Sequence, residues 1–147
     1  MIQWSHIYRG VWRAEVGNLP TFTPLGLLDI TPRSDALAEL GDVPFPFDDG
    51  EPSVINVSLG STALRFPLSG EERIYGLGLH FKRLNHRGNV MRLQVDHYGG
   101  RDDGRSHASM PFYVSDAGYA VLLNTARVVT ADLSTSVRRD DPNRPPS

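Results

Sequence analysis

A polar loop in the second half of the chain carries the residue types that could bind a polar ligand. The Asp96 carboxylate can accept hydrogen bonds from two neighbouring hydroxyls, which suits the vicinal diol of a sugar, and arginines donate in a planar fork. Tyr98 could stack on the apolar face of a sugar ring. The same loop also fits a solvated turn in which aspartates and arginines pair with each other. Its polar side chains are Asp96, His97, Tyr98, Arg101, Asp102, Asp103, Arg105 and His107.

The glycine pair upstream of this loop matches only part of a dinucleotide-binding fingerprint. Gly76 and Gly78 have the right spacing, but Phe81 stands where the third glycine belongs, and no helical pattern follows. Glycine in a strand also permits close approach of a neighbouring strand and a bend. We therefore interpret the pair as structural, which leaves open what the loop beyond it does.

The loop lacks a complete metal site or nucleophile. His97 and His107 do not have the i, i+4 spacing of a helical metal-binding pair, although Asp96 and Asp102 could add oxygen ligands. The sequence contains no Gly-x-Ser-x-Gly elbow. Asp96 with Asp102 or Asp103 could on paper form the carboxylate pair that cleaves glycosides, but one loop seldom supplies both groups. We predict no catalytic residue, cofactor or metal in this chain.

Composition narrows the class of protein. The 147 residues fit one globular domain, and a net charge of −2 gives no basic footprint for nucleic acid. There is no cysteine, which excludes disulfides and thiolate chemistry. No stretch reaches the roughly 18 apolar residues that span a bilayer, so we predict no membrane partner. The first residues lack the pattern of a signal peptide, which predicts a cytoplasmic protein if this N-terminus is native.

Short strand patterns must position the polar loop. Only residues 34–40 have a helical pattern, with Ser34 as the candidate N-cap and Gly41 as the stop. A connection rich in Asp and Pro, residues 41–52, should tuck Phe45 and Phe47 under it. We predict an all-β fold, an antiparallel sandwich over residues 1–137, with residues 138–147 as a charged, Pro-rich linker or disordered tail. The predicted strands are residues 6–16, 25–31, 53–59, 63–68, 90–95, 111–115, 119–124 and 127–136.

Four short segments in the second half resemble glycoside hydrolase family 31, the α-glucosidase and α-xylosidase family. Residues 72–78 resemble its Tyr-Gly-x-Gly segment, and residues 84–88 resemble its Leu-x-x-Arg-Gly motif. Residues 93–96 occupy the place of its aromatic-Asn-x-Asp stretch, and residues 110–123 resemble its Pro-Phe hairpin. Each segment alone is weak, but their order and spacing agree over residues 72–129.

This resemblance implies a galactose-mutarotase-like β-sandwich that precedes a catalytic (β/α)8 barrel. A barrel alone takes about 250 residues, so this chain cannot contain it. In the family, the aspartate nucleophile and the aspartate acid/base of a retaining α-glycosidase lie on the barrel, so the chain alone should be inactive. The loop that holds the Asp96 equivalent reaches over the barrel mouth and contacts the sugar. We predict the barrel and an α-glycoside as partners, and Asp96, His97, Tyr98 and Arg101 as substrate-binding residues.

Departures from the family pattern leave the substrate sugar open. Leu79 replaces the usual Glu after the second glycine, and Leu93-Gln94 replaces the aromatic-Asn pair before Asp96. Two other functions also remain open. The chain could be a free-standing carbohydrate-binding module that stacks sugars on Tyr98, Trp4 or Trp12, or a structural sandwich whose apolar face only docks a barrel.

Overall fold

The structure is a computed structural model that falls into two compact units, Met1–Pro67 (unit 1) and Leu68–Ser147 (unit 2). The predicted tail, residues 138–147, lies outside the part of the chain that is described. The described residues are 2–17, 21–28, 33–48, 50–58, 61–80, 83–96 and 105–134, without the side chains of residues 56–58 and 105.

In its described residues, unit 1 has two antiparallel hairpins and two one-turn helices. Strand β1 (Trp4–Tyr8) pairs with β2 (Val11–Ala14), and Gly10 takes a positive φ of 61° in the turn between them. This hairpin overlaps the single strand predicted at residues 6–16, but it begins earlier, at Trp4, and the turn at Gly10 divides the segment into two strands. Helix α1 (Pro24–Leu27) and helix α2 (Ser34–Ala38) follow. The second hairpin pairs β3 (Ser53–Ser58) with β4 (Ser61–Arg65), close to the predicted strands at 53–59 and 63–68.

The strand predicted at residues 25–31 is wrong in its described part, where α1 lies instead. Pro24 occupies the start of this helix, where its fixed φ fits and its missing N–H costs nothing. Thr23 caps the turn, because its Oγ1 accepts a hydrogen bond of 3.1 Å from the Gly26 amide. Capping and proline chemistry therefore outweigh the apolar run that suggested a strand.

The predicted helix at residues 34–40 forms as the shorter α2, and its predicted N-cap is wrong. Arg33 is the N-cap residue and makes no side-chain capping bond, while Ser34 is the first helical residue. Asp35 lies in the first turn and forms an ion pair with Arg33. Negative charge there is favourable because the helix N-terminus carries partial positive charge.

Unit 2 is a small two-layer β-sandwich. One sheet has the order β5-β8-β9, formed by β5 (Ile74–Gly78), β8 (Ser109–Ser115) and β9 (Ala120–Leu122). The other sheet has the order β10-β6-β7. Its strands are β6 (Val90–Val95), β7 (Arg105–Ser106) and β10 (Val129–Asp132). With strands predominant and most pairings antiparallel, the structure confirms the predicted all-β class, and its described strands form no (β/α)8 barrel.

A dense aliphatic core joins the two sheets of unit 2. Its buried members are Ile74, Leu77, Met91, Leu93 and Leu133, and Leu68, Tyr113, Val129 and Ala131 pack against them. The register of β6 with β10 explains the β6 contribution, because it aligns Leu93 with Val129 and Met91 with Ala131 on one face. The bounds of β6 are those of the strand predicted at residues 90–95. Val95 does not join the core and is 71% exposed, because it lies beyond the last residue of β6 that β10 covers.

The β8–β9 hairpin confirms the neighbouring strands predicted at residues 111–115 and 119–124. Gly118 takes a φ of 94° in the turn that joins them. The register aligns Phe112 with Leu122 and Tyr113 with Val121. No helix among the described residues is long and apolar enough to cross a membrane.

Candidate functional site

Asp96 lies at the C-terminal end of β6, where the predicted binding loop begins. Its backbone amide donates a hydrogen bond of 3.0 Å to the carbonyl of Ser106, beyond the far end of the loop. Strand β7 pairs in parallel with the end of β6, with Gln94 opposite Arg105 and Val95 opposite Ser106. The Asp96 side chain is half-buried. The chain therefore leaves the sheet after Asp96 and returns beside the point where it left.

Two serines link the strands at which this loop begins and ends. Ser106 is buried with 2% exposure, and its Oγ accepts a hydrogen bond of 3.2 Å from the Ala108 amide. The Ser109 hydroxyl donates 2.9 Å to the carbonyl of Gln94 and lies 3.4 Å from the Ser106 Oγ. These bonds tie β6, β7 and the start of β8 together just below Asp96.

The glycine pair is structural, as interpreted from the sequence. Gly76 and Gly78 have φ values of 108° and 106°, which L side chains rarely adopt. A Cβ on Gly78 would lie 2.8 Å from the Ser109 Cα, and one on Gly76 would lie 2.7 Å from the Phe112 carbonyl oxygen. The β5–β8 register shifts between these glycines, so the bulge brings both Ile74 and Leu77 into the core. Glycine here lets β5 approach the start of β8 closely, beside the serines that link β6, β7 and β8.

The segment that resembles Leu-x-x-Arg-Gly locks β5 in place. The Asn85 side-chain carbonyl accepts hydrogen bonds from the amides of Ile74, at 3.3 Å, and Arg87, at 3.0 Å. The His86 amide donates 2.8 Å to the Ile74 carbonyl. Arg87 Nη1 donates 2.7 Å to the carbonyls of both Ser69 and Glu72. Two motifs that are separate in sequence thus form one hydrogen-bonded unit at the start of β5.

A buried carboxylate, Glu72, is the main polar group that the sequence interpretation missed. It is 5% exposed and accepts hydrogen bonds from the Ser69 amide at 2.9 Å, the Tyr119 hydroxyl at 2.6 Å and the Ser115 hydroxyl. Burial alone would raise the pKa of Glu72, but the hydrogen bonds from Ser115, Tyr119 and Ser69 outweigh it and lower the pKa. The group is an anionic anchor for the β8–β9 hairpin. In the sequence, Glu72 stands out only as the first residue of the segment 72–78 that resembles the Tyr-Gly-x-Gly motif.

The pKa values of two tyrosines near Glu72 are raised. Burial raises the pKa of Tyr119, and its hydrogen bond to the Glu72 carboxylate raises it further. Burial likewise raises the pKa of Tyr113, whose ring lies 6.3 Å from that of Tyr119. Both hydroxyls therefore stay protonated at neutral pH. These groups hold the scaffold and have no arrangement typical of an acid/base pair.

Of the predicted binding residues, the structure places Asp96 only. His97, Tyr98 and Arg101 lie outside the described residues. Across the described ranges, no three His, Cys, Asp or Glu side chains are grouped closely enough to hold a metal ion.

Comparison with known proteins identifies one family. The family model described as the glycosyl hydrolase 31 N-terminal galactose mutarotase-like domain matches residues 30–132 of the 147. This match covers more than half of the chain and includes all of unit 2 from Leu68 to the end of β10. Among curated protein sequences, none matches the chain.

Proposed function

Since the chain belongs to the family of glycosyl hydrolase 31 N-terminal galactose mutarotase-like domains, we propose that it forms one wall of a sugar-binding pocket. The opposite wall and the catalytic aspartates would belong to a (β/α)8 barrel in the full protein. Asp96 would accept hydrogen bonds from two sugar hydroxyls. His97, Tyr98 and Arg101 would add further contacts from the same loop. The bound molecule would be an α-glycoside.

The observation that carries this proposal is the way in which the loop is anchored. The parallel pairing of β6 and β7 holds both ends of the loop, and the Asp96–Ser106 backbone bond closes its base. Sites that stand on strands hold their side chains more precisely than sites on free loops. A fixed backbone at Asp96 limits where its carboxylate can lie, which a substrate contact needs because hydrogen bonds weaken steeply with distance and angle.

An apolar outer face of unit 2 supports docking to a further domain. Tyr75, Val114 and Ala120 align across β5, β8 and β9, opposite to the face that carries Ile74 and Tyr113. Val114 is 41% exposed and Leu122, aligned with Phe112, is 40% exposed. Adjacent apolar residues on an outer sheet face are typical of an interaction surface. Because the matching family consists of N-terminal domains of glycosyl hydrolases, we propose that the catalytic barrel covers this face.

The role of Asp96 can be tested in a full protein that joins this domain to its barrel. Asp96→Ala should lower kcat/KM for aryl α-glycosides by about 5- to 150-fold, because a lost hydrogen bond to substrate costs about 1–3 kcal/mol of transition-state binding. Glu71→Ala is the matched control, since Glu71 is an exposed carboxylate of the same unit and should leave kcat/KM unchanged. An unchanged kcat/KM in Asp96→Ala would refute the proposed contact.

The docking face can be tested on the chain itself. Val114→Lys should reduce self-association of the 147-residue chain in light scattering, because the open apolar face would no longer pair with another copy. Thr130→Lys is the control, since Thr130 lies on the exposed polar face of β10. If both variants associate as the parent does, the chain does not self-associate through the outer face of β5-β8-β9.

A further inference from the structure

Unit 1 contains a cavity of about 360 Å³ that the proposed function does not use. This volume lies near the lower end of the roughly 300–1,000 Å³ found for small-molecule sites. Such sites combine aromatic walls with a few polar groups, and this cavity has both. The lining residues that matter here are Trp4, His6, Trp12, Phe45, Asp48 and Glu51.

The β1–β2 hairpin builds the aromatic wall. Alternation along β1 places Trp4 and His6 on one face, and the register sets His6 directly opposite Trp12. The His6 and Trp12 rings lie 5.2 Å apart at an angle of 30°. Both tryptophans are half-buried, so each keeps part of its ring surface accessible. Such a surface suits a ligand with a flat apolar side.

A ladder of phenylalanines supports this wall. The Phe45 ring lies 5.1 Å from Trp4 and 5.5 Å from Trp12. Phe47 contacts Phe45 at 5.5 Å and Phe66 at 5.8 Å in turn. These contacts confirm that Phe45 and Phe47 pack beneath the connection predicted at residues 41–52. They also fix the indole rings, so that a ligand would meet a preformed surface and little ordering cost would oppose binding.

The polar groups of the cavity select the chemistry of the ligand. Asp48 and Glu51 line it with carboxylates, while His6 is its only side chain that could carry positive charge among the described lining residues. An anionic ligand would therefore meet like charge. Carboxylates accept hydrogen bonds from hydroxyl groups, so a ligand with several hydroxyl groups can donate to both Asp48 and Glu51.

We propose that this cavity binds one pyranose unit of a neutral saccharide, as a second sugar site separate from the Asp96 loop. The ring face that carries C–H groups would stack on the tryptophans, and hydroxyls would donate to Asp48 and Glu51. The proposal does not rest on the barrel or on the role of Asp96. It assigns the two carboxylates to recognition, and no bond is made or broken there.

Tryptophan fluorescence tests this proposal directly, because the chain contains two tryptophans and both line the cavity. Titration of the 147-residue chain with methyl α-D-glucopyranoside and with maltotriose should give a saturable change in emission. Asp48→Asn and Glu51→Gln, made separately, should each weaken binding by about tenfold, because the amide still accepts a hydrogen bond but no longer carries the charge that strengthens it. Asp42→Asn, an exposed aspartate of the same connection, should bind as the parent does.

Three outcomes would overturn the proposal. The first is no saturable change with either saccharide. The second is equal affinity in the parent, in Asp48→Asn and in Glu51→Gln, with circular dichroism showing all three folded. The third is a stronger response to tetramethylammonium than to the saccharides, which would make the site one for organic cations held by aromatic faces and carboxylates.

Discussion

The two units of this chain bury their apolar side chains in different ways. Unit 2 closes an aliphatic core between two sheets, and Ile74 and Met91 are almost fully buried in it. Unit 1 packs aromatic rings in tilted and T-shaped pairs, and Pro52 is the only fully buried residue among those described there. A buried aliphatic core fixes a scaffold, whereas half-exposed aromatic rings keep surface for a ligand. Unit 2 therefore provides the rigid strands that anchor the Asp96 loop. Unit 1 has the accessible aromatic surface that we propose as a binding wall.

The largest test of this difference is the same truncation made in each unit. Ile74→Ala should lower the free energy of unfolding by about 2–5 kcal/mol, because it leaves a cavity in a closed core. Ile55→Ala should cost about 1 kcal/mol or less, since Ile55 is 38% exposed while Ile74 is 1% exposed. Chemical denaturation measures both values. Equal losses would mean that the exposed β3 face is as important to stability as the core of unit 2.

Gly78→Ala tests whether the packing of β5 on the start of β8 depends on close contact between the two strands. We expect a loss of about 3 kcal/mol, because strained φ and a contact with Ser109 backbone add together. Gly88→Ala is the matched control, since Gly88 has a φ of 79° but no atom within 4 Å of an added Cβ. That variant should lose only the conformational part, about 1–2 kcal/mol. Similar losses in the two variants would remove close approach as the reason for Gly78.

Glu72→Gln tests the anionic anchor and predicts a pH dependence. At neutral pH the free energy of unfolding should fall by about 1–3 kcal/mol, because hydrogen bonds to a charged acceptor are lost. The pKa of Glu72 is lowered by folding, so the carboxylate stabilises the fold above its ordinary pKa of 4.5. That contribution is lost as the pH falls below 4.5 through the lowered pKa of the folded state.

The difference between parent and Glu72→Gln should therefore shrink on acidification below pH 4.5. Denaturation at a series of pH values checks this. Glu71→Gln is the control, as Glu71 is exposed next to Glu72, and it should follow the parent curve. A difference that stays constant from neutral to acidic pH would show that the Glu72 charge does not stabilise the fold.

The sequence predicted unit 2 better than unit 1 for a physical reason. In β6 and in the β8–β9 hairpin, a period of two and a Gly turn act locally, so the pattern in the sequence matches the strands that form. The apolar run at residues 25–31 predicted a strand, but helix α1 forms there because the Thr23 cap and Pro24 at the first position favour a helical turn. Glu72 shows the other limit: its partners Ser115 and Tyr119 are 43 and 47 residues away in sequence, and no local pattern indicates such a bond.

The smallest expected effect separates binding from stability in unit 1. Asp48→Asn should change the free energy of unfolding by less than about 0.5 kcal/mol, because Asp48 is exposed and surface changes of this kind are close to neutral. The same substitution should weaken saccharide binding, whereas Glu72→Gln should lower stability and leave the tryptophan titration unchanged. Denaturation and fluorescence on the two variants therefore form a reciprocal pair of measurements. A loss above about 1 kcal/mol in Asp48→Asn would make this carboxylate part of the scaffold, because a group that holds the fold is already committed to partners within it.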